Sequence, residues 1–313
     1  MRSELPICGR VLNPSGGDSN APDGLENPSH IGILTAMSLI AAFQGERGAF
    51  SESAARKLLG ASVDVLPCKS FDDVFAAVQS GAAACAVVPI ENTLAGSVLR
   101  NYDLLGDAGL EIAGEALLRI GLSVMARRGV RLENVRRVLS HPVALAQCQR
   151  FLAAHPDIEA VATYDTAGGV KIVMGGGRDD EAAIAGASAA ELYGAKILAD
   201  NIEDNAKNYT RFLLVAKHGV IPPRPGPRKT TIVFRTPNTP GALFRALAVF
   251  ALRDINLTKL ESRPIEGRPW EYQFYADIGG DAQERNVANA LNHLREMCET
   301  VILLGSYAAD SSS

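Results

Sequence analysis

The sequence lacks the patterns that mark several large classes of protein. One tryptophan and an aromatic content of 6% leave little for a sugar-binding or membrane-interface surface built on aromatic rings. No apolar run is long enough to cross a bilayer. Lysines and arginines number 31 against 35 aspartates and glutamates, and they form no basic cluster. We therefore expect neither a membrane nor a nucleic acid as a partner.

Patterns for disulfides and metal ions are missing as well. The five cysteines are scattered along the chain, form no Cys-x-x-Cys pair and are odd in number. Such usage favours a reduced protein and a cytoplasmic location. The five histidines are dispersed, without a His-Glu-x-x-His motif or a mixed Cys/His cluster. The sequence thus predicts no bound metal.

What the chain has instead is an alternation of short apolar strands and amphipathic helices. Ala84–Val88 is a continuous apolar run, as in a strand covered on both faces. Before it, Ser70 and Asp73 have the spacing of a capping box that opens a helix. A further helix is predicted from about Val143 to Ala153. Repeated units of this kind predict an α/β fold with mostly parallel sheets, which bind ligands beyond the carboxyl ends of their strands.

Changes in composition mark the expected domain boundaries. Residues 1–30 are rich in Gly, Pro, Ser and Asn, and we expect residues 1–37 to form a disordered tail. The α/β region at 38–218 is followed by a proline-rich linker at 219–228, which its prolines hold extended. Residues 229–308 have the order βαββαβ, typical of a small ferredoxin-like sandwich, and 309–313 form a tail.

A polar run stands at the start of one predicted strand. Asn208–Phe212 places a hydroxyl, a guanidinium and two aromatic rings directly before the apolar Leu213–Val215. Successive side chains of a strand point to opposite faces. If the run is extended, Thr210 and Arg211 cannot both face the same ligand.

Six short motifs follow one another in a specific order. They are Ala42–Ser51 (AFQGERGAFS), Val88–Thr93 (VPIENT), Ser140–Pro142 with Gln147 and Cys148, Asn208–Phe212 (NYTRF), Pro240–Leu243 (PGAL) and Glu261–Pro264 (ESRP). This set resembles the prephenate dehydratase family, including its close relatives the arogenate dehydratases. The resemblance covers about Ile40 to Tyr307.

The resemblance implies both a fold and a reaction. The expected fold has two α/β lobes with the active site in the cleft between them, followed by an ACT domain. The expected reaction converts prephenate to phenylpyruvate in phenylalanine biosynthesis, by loss of carbon dioxide and hydroxide, and needs no cofactor because aromatisation drives it. Arogenate, with an amino group in place of the keto oxygen, is the alternative substrate. L-Phenylalanine is the expected feedback effector, and a homodimer or homotetramer the expected assembly.

The resemblance also gives roles to residues of the cleft. Thr210 is the expected catalytic donor to the leaving hydroxide, acting within a polar network. Asn92 is expected to donate to a substrate carboxylate. An ionised Glu91 beside a dianionic substrate is unfavourable, so Glu91 is either a turn residue or a partner of backbone groups, of Arg211 or of the ring hydroxyl network. Further substrate-binding candidates are Ser51, Thr93, Ser97, Ser140, Gln147 and Thr166.

Three other residues have competing interpretations. The planar guanidinium of Arg211 suits a carboxylate, whereas the strand alternation turns it away to brace the lobes. His141 precedes a proline and is not favoured as a base. Asp165 could pair with the ammonium group of arogenate, so it is the candidate for discriminating the two substrates.

The effector site is predicted from two motifs of the ACT region. One contains Asn238, Gly241, Ala242 and Leu243 at the start of a helix, where free N–H groups suit the carboxylate of an amino acid. The other contains Glu261, Ser262, Arg263 and Pro264, which the resemblance places in an effector site between two chains. A non-catalytic amino-acid sensor is the rival function from another class.

Overall fold

A computed structural model describes residues 39–176 and 178–310. The predicted disordered tail at 1–37 lies outside the described residues. The described residues belong to one compact unit, Ser38–Ser313. Within them, no helix is long and apolar enough to cross a bilayer.

The chain alternates strands and helices throughout. The strands are β1 (Ile40–Gln44), β2 (Asp64–Cys68), β3 (Cys85–Asn92), β4 (Gly96–Ser97), β5 (Glu111–Arg119), β6 (Ser123–Ala126), β7 (Arg137–Ser140), β8 (Glu159–Ala162), β9 (Glu181–Ala185), β10 (Lys196–Ala199), β11 (Tyr209–Ala216), β12 (Arg228–Arg235), β13 (Leu257–Ile265), β14 (Arg268–Gly279) and β15 (Thr300–Ala308). The α-helices are α1 (Phe50–Leu59), α2 (Phe71–Ser80), α3 (Leu99–Asp107), α4 (Pro142–Ala146), α5 (Gln149–Ala154), α6 (Thr166–Met174), α7 (Ala187–Tyr193), α8 (Ala242–Ala251) and α9 (Arg285–Met297).

The first lobe is a mixed sheet in the order β2-β1-β3-β11-β5, with β4 paired to β3. Strands β1, β2 and β3 are parallel, as the alternation with helices predicts. Strand β11, however, runs antiparallel between β3 and β5. The chain leaves this lobe after β5, builds the second lobe and returns as β11. The capping box of α2 is present, with Ser70 accepting from the Asp73 N–H group.

The second lobe is a sheet in the order β10-β6-β9-β7-β8, parallel around β7 and antiparallel at β6. The single helix predicted from about Val143 to Ala153 is two short helices, α4 and α5. The Asp204 carboxylate accepts hydrogen bonds from the N–H groups of Gln149 and Arg150, both at 2.9 Å. This side chain starts the second helix and leaves Gln147 at the break.

The ACT region is an antiparallel sheet in the order β13-β14-β12-β15. Helices α8 and α9 cover one face with a core that includes Phe234, Phe250 and Leu294. This confirms the predicted α/β fold class with a βαββαβ unit, while the two lobe sheets are mixed rather than purely parallel.

The other face of the ACT sheet packs on the first lobe. Tyr275 and Tyr307 are buried there, and the Tyr275 hydroxyl donates to the Tyr102 carbonyl at 2.7 Å. Strand β15 lies so close to β5 that a Cβ atom at Gly305 would stand 2.2 Å from the Ile112 carbonyl oxygen. Glycine is therefore required at this position for the two strands to approach.

Candidate active site

A cavity of about 430 Å³ lies between the two lobes. We call it the cleft pocket. The first lobe contributes the ends of β1 and β3, the start of β11 and the start of α1, and the second lobe contributes α4 and the start of α6. Its polar lining is Gln44, Ser51, Asn92, Ser97, His141, Gln147, Asp165, Thr166 and Thr210.

A chain of side-chain hydrogen bonds connects the two lobes behind the cleft pocket. Thr210 and Asn92 are partners in the register of β11 and β3, and the Asn92 amide donates to the Thr210 hydroxyl oxygen at 2.9 Å. It also donates to the Asn208 side-chain oxygen at 2.8 Å. Asn208 in turn donates to Gln147 Oε1 at 2.9 Å. Because Gln147 belongs to the second lobe, this chain of bonds connects the lobes directly behind Thr210.

The Thr210 hydroxyl is arranged as a donor. Its oxygen accepts from Asn92, and within the described part of the chain the hydroxyl makes no other hydrogen bond. A hydroxyl that accepts one hydrogen bond is polarised and donates more strongly. The hydrogen of Thr210 is thus left for a ligand in the cleft pocket.

Asn92 differs from its expected role as a donor to a substrate carboxylate. Its amide nitrogen donates to Asn208, to Thr210 and to the Tyr209 carbonyl at 3.1 Å. Its oxygen accepts from the N–H groups of Leu94 and Ala95. The whole side chain is engaged inside the protein, which suits it to orient Thr210.

Of the other predicted substrate-binding residues, Ser51, Ser97, Gln147 and Thr166 line the cleft pocket. Thr93, Ser140, Glu91 and Arg211 do not. Ser140 is fully buried and donates to the Ile184 carbonyl at 2.5 Å. The Thr93 hydroxyl donates to the Lys207 carbonyl, and Glu91 pairs with Lys259 of the ACT region at 2.9 Å.

Arg211 points away from the cleft pocket into the junction with the ACT region. Its guanidinium contacts Glu115 at 2.6 Å, Asp277 at 2.5 Å and the Tyr307 hydroxyl at 2.8 Å. Lys229 Nζ lies 2.7 Å from Glu115. Burial opposes the charge, but the oxygens around it raise the pKa of the Arg211 guanidinium overall. No nitrogen of this side chain is turned towards the cleft.

Three further polar residues belong to this region: Asn208, for which the sequence predicts no separate role, and His141 and Asp165, which both cap helices. Asn208 is fully buried and carries the central link of the hydrogen-bond chain; its place in the NYTRF motif was the available signal. His141 Nδ1 accepts from the Val143 N–H group at 3.2 Å and so caps α4. Asp165 caps α6 by accepting from the Gly168 N–H group at 2.8 Å.

The electrostatics of the cleft pocket are set by one carboxyl group and by helix starts. Asp165 is the one carboxylate in the lining, and burial raises the pKa of its carboxyl despite several backbone N–H groups. No lysine or arginine lines the pocket. The first turn of α1 has no side-chain cap, and Phe50 and Ser51 line the pocket there. Glu52 and Ser53 already donate to the Ala49 carbonyl, so within the described chain the N–H groups of Phe50 and Ser51 are left as partners for an anion.

The described residues contain no group of three or more His, Cys, Asp or Glu side chains that could hold a metal ion. The donors of the cleft pocket are amides, hydroxyls and backbone N–H groups. This set suits an organic ligand with oxygen atoms.

The predicted effector residues occupy two places in the chain. Asn238, Ala242 and Leu243 line a smaller cavity of about 170 Å³ with Trp270 and Tyr272, and Gly241 is the N-cap of α8. Glu261 and Arg263 on β13 instead face the first lobe, where they contact Ser97 and Asp103. Ser262 and Pro264 are exposed. Within one chain, the structure does not bring the two motifs together.

Comparisons with protein families agree with this architecture. Residues 41–220 match the family model described as prephenate dehydratase, and residues 230–296 match the model of the ACT domain. Arogenate dehydratase 2 of Petunia hybrida is 42% identical over 311 residues, which cover 93% of this chain and 78% of the relative. Arogenate dehydratase/prephenate dehydratase 2 of Arabidopsis thaliana, described as chloroplastic, is 44% identical over 87% of this chain and 73% of the relative.

Solved structures with the same fold carry two different descriptions. Prephenate dehydratase of Arthrobacter aurescens in complex with L-Phe has a TM-score of 0.78 and 36% identity, over 86% of this chain and 90% of that one. GqqA, described as a novel type of quorum quenching acylase, has a TM-score of 0.80 and 39% identity, over 87% of this chain and 98% of that one.

Proposed function

The chain belongs to the prephenate dehydratase family, whose members are hydro-lyases of phenylalanine biosynthesis acting on prephenate or arogenate, and we propose that this member acts on prephenate and uses Thr210 as its catalytic donor. The single observation that carries the proposal is the Thr210 hydroxyl, which lines the cleft pocket and accepts a hydrogen bond from Asn92, so that its own hydrogen is left for a ligand.

The proposed reaction breaks two bonds of prephenate together. The ring carboxylate leaves as carbon dioxide, and its bonding electrons enter the ring as the hydroxyl group departs from the opposite carbon. Thr210 donates a hydrogen bond to the departing oxygen, where negative charge develops, and so lowers the barrier. The bonds from Asn92 and Asn208 hold this hydroxyl in place before the substrate arrives.

The carboxylates of the substrate are proposed to meet neutral donors. The uncapped start of α1 offers N–H groups beside Ser51, and the helix dipole favours negative charge there. Thr166 and Gln147 add polar groups from the second lobe. Binding across the cleft would draw the lobes together around the substrate.

The choice between prephenate and arogenate rests on Asp165. Its carboxyl already accepts from the Gly168 N–H group as the cap of α6, so it is not a free partner for an ammonium group. This favours the keto acid prephenate. The second candidate is arogenate, because Asp165 is the one carboxylate in the lining and the relatives from Petunia and Arabidopsis are described as arogenate dehydratases.

Acylase activity is disfavoured by the same geometry. A hydroxyl nucleophile needs a neighbouring base to take its proton. Ser51, Thr166 and Thr210 line the pocket, but no hydrogen bond of the described residues joins any of these hydroxyls to His141 or Asp165. An elimination that needs one oriented donor fits the site better.

The test is turnover of both substrates by purified protein without added cofactor. We expect a higher kcat/KM for prephenate than for arogenate, with phenylpyruvate as the product. Asp165→Asn keeps the helix cap but removes the carboxylate, and it should leave kcat/KM for prephenate nearly unchanged. Two results together would identify arogenate as the substrate instead: a wild-type enzyme with the higher kcat/KM for arogenate, and a large loss of kcat/KM in Asp165→Asn for arogenate alone.

Regulation by L-phenylalanine is the second part of the proposal. The related Arthrobacter structure holds L-Phe, and the small cavity beside α8 offers a helix start for an amino-acid carboxylate. We infer that the ACT regions of two chains complete this site in a homodimer or homotetramer. Calorimetric titration with L-phenylalanine should show binding and inhibition. Binding without any turnover would instead favour an amino-acid sensor. The cytoplasmic location expected from the cysteines stays a prediction.

A further inference from the structure

A short hairpin forms one wall of the cleft pocket. We call residues 91–97, from the end of β3 to β4, the pocket hairpin. In its register Glu91 faces Ser97 and Asn92 faces Gly96. Asn92 and Ser97 line the pocket, and Asn92 holds the Thr210 hydroxyl. The position of this hairpin therefore sets the position of Asn92, the hydrogen-bond partner of the proposed catalytic donor Thr210.

The pocket hairpin is not rigid by its own contacts. Strand β4 has only two residues, and the turn at 93–96 is exposed. A hairpin of this size is marginally stable unless other elements support it. Strand β11 and the segment before it support it on one side, where Thr93 and Asn92 are hydrogen-bonded to Lys207 and Tyr209. The other support comes from the side opposite the pocket, where the ACT region lies.

Lys259 of β13 reaches both strands of the pocket hairpin. Its ammonium nitrogen lies 2.9 Å from Glu91 Oε2 and 3.3 Å from the Ser97 hydroxyl. It also stands 5.6 Å from the centre of the Tyr102 ring. The side chain is 12% exposed, so solvent screens these contacts only in part.

Glu261, on the same face of β13, completes the contact. It accepts a hydrogen bond of 2.5 Å from the Ser97 hydroxyl and lies 3.7 Å from Lys259. Ser97 thus contacts the substrate pocket and the ACT region with one side chain.

We propose that Lys259 is a positioning residue of the active site: the ACT region uses it to hold the pocket hairpin where Asn92 orients Thr210. The strand that carries Lys259 also carries the predicted effector motif, so a shift of β13 on effector binding would move the hairpin. The effect on turnover rests on the proposed function, whereas the effect on the hairpin does not.

The test combines kinetics with hydrogen exchange on the full chain. Lys259→Met removes the ammonium and keeps most of the apolar stem. We expect kcat to fall about tenfold because the donor is displaced, with a smaller change in KM. Amide exchange in the peptide covering 91–97 should become faster. Lys259→Arg, which keeps the charge, should retain slow exchange and most of kcat.

Asp103→Asn is the matched control. Asp103 on α3 pairs with Arg263 at 2.8 Å, on the same face of the same strand, but this pair does not touch the hairpin. We expect faster exchange around α3 only, and an unchanged kcat. A double variant with Glu91→Gln and Lys259→Met should lose no more activity than the more affected single variant, because both substitutions remove the same contact between Glu91 and Lys259.

The outcomes separate this inference from the dehydratase function. Equal kcat and equal hairpin exchange in Lys259→Met and wild type would overturn the proposal, and so would an equal loss of kcat in Asp103→Asn. If the wild type turned over neither substrate while Lys259→Met still loosened residues 91–97, the dehydratase function would fail and the role of Lys259 would stand.

Discussion

The end of β3 and the start of β11, which are paired, present two faces with different chemistry. On the face towards the cleft pocket, Asn92 and Thr210 are uncharged and joined by a hydrogen bond. On the opposite face, Glu91 and Arg211 are the next pair in the register, and both carry charges that pair with the ACT region. Because side chains alternate along a strand, adjacent residues face the cleft pocket and the domain junction.

Each face has the chemistry that its surroundings require. The junction around Arg211 is buried and charged, so each ion must have a partner, and this requirement fixes how the ACT sheet sits on the first lobe. The pocket is built from amides and hydroxyls, which orient a ligand without presenting an unpaired charge to it. Three substitutions test whether the pocket face determines activity and the junction face determines stability.

The largest expected effect is on the pocket face. Thr210→Ala removes the proposed donor, and kcat should fall by about 10²- to 10⁴-fold. Its free energy of unfolding should change by no more than about 1 kcal/mol, because one hydrogen bond is lost. Steady-state kinetics and urea unfolding measure the two quantities. Thr210→Ser keeps the hydroxyl and should stay far more active; equal losses in both variants would contradict the donor role.

On the junction face the expected effect is on stability. Arg211→Met leaves Asp277 buried without its cation, and the free energy of unfolding should fall by about 3–5 kcal/mol. At temperatures where the variant stays folded, kcat should fall much less than in Thr210→Ala. The exposed pair Arg100–Asp72 is the control, and Arg100→Met should leave unfolding nearly unchanged. An Arg211→Met enzyme with the stability of the wild type would contradict the role of Arg211 in holding the junction together.

A smaller effect is expected where the lobes meet. Asn208→Ala breaks the link between Asn92 and Gln147, and kcat should fall about tenfold because Thr210 loses part of its support. The unpaired partners should lower the free energy of unfolding by about 1–3 kcal/mol. Asn205 is exposed in the same segment, and Asn205→Ala serves as the control. An unchanged kcat in Asn208→Ala would show that the hydrogen bonds of Asn208 do not help to position Thr210.

Several features follow from the sequence because they depend on neighbours in the chain. The capping box at Ser70 and the βαββαβ order of the ACT region arise from local spacing and periodicity. The opposite directions of Thr210 and Arg211 follow from the alternation of a strand. The order of the six motifs identified the family without reference to any contact.

Other features depend on segments that are distant in the chain. The sequence predicted one helix from about Val143 to Ala153, but Asp204 starts a second helix and turns Gln147 into the cleft pocket. The sequence predicted that Ser140 follows a strand and faces the cleft, but it is the last residue of β7 and its hydroxyl is bonded to the neighbouring strand β9. Strand β11 enters its sheet antiparallel because the chain returns from the second lobe.

The family, the order of the elements and the face of each strand residue follow from the sequence alone, since backbone preferences and side-chain periodicity act over a few positions. Which residues share the cleft pocket, and that Lys259 contacts the wall of that pocket, depend on the tertiary structure. Those contacts join residues more than 100 positions apart, and they form only when the two lobes and the ACT region pack together.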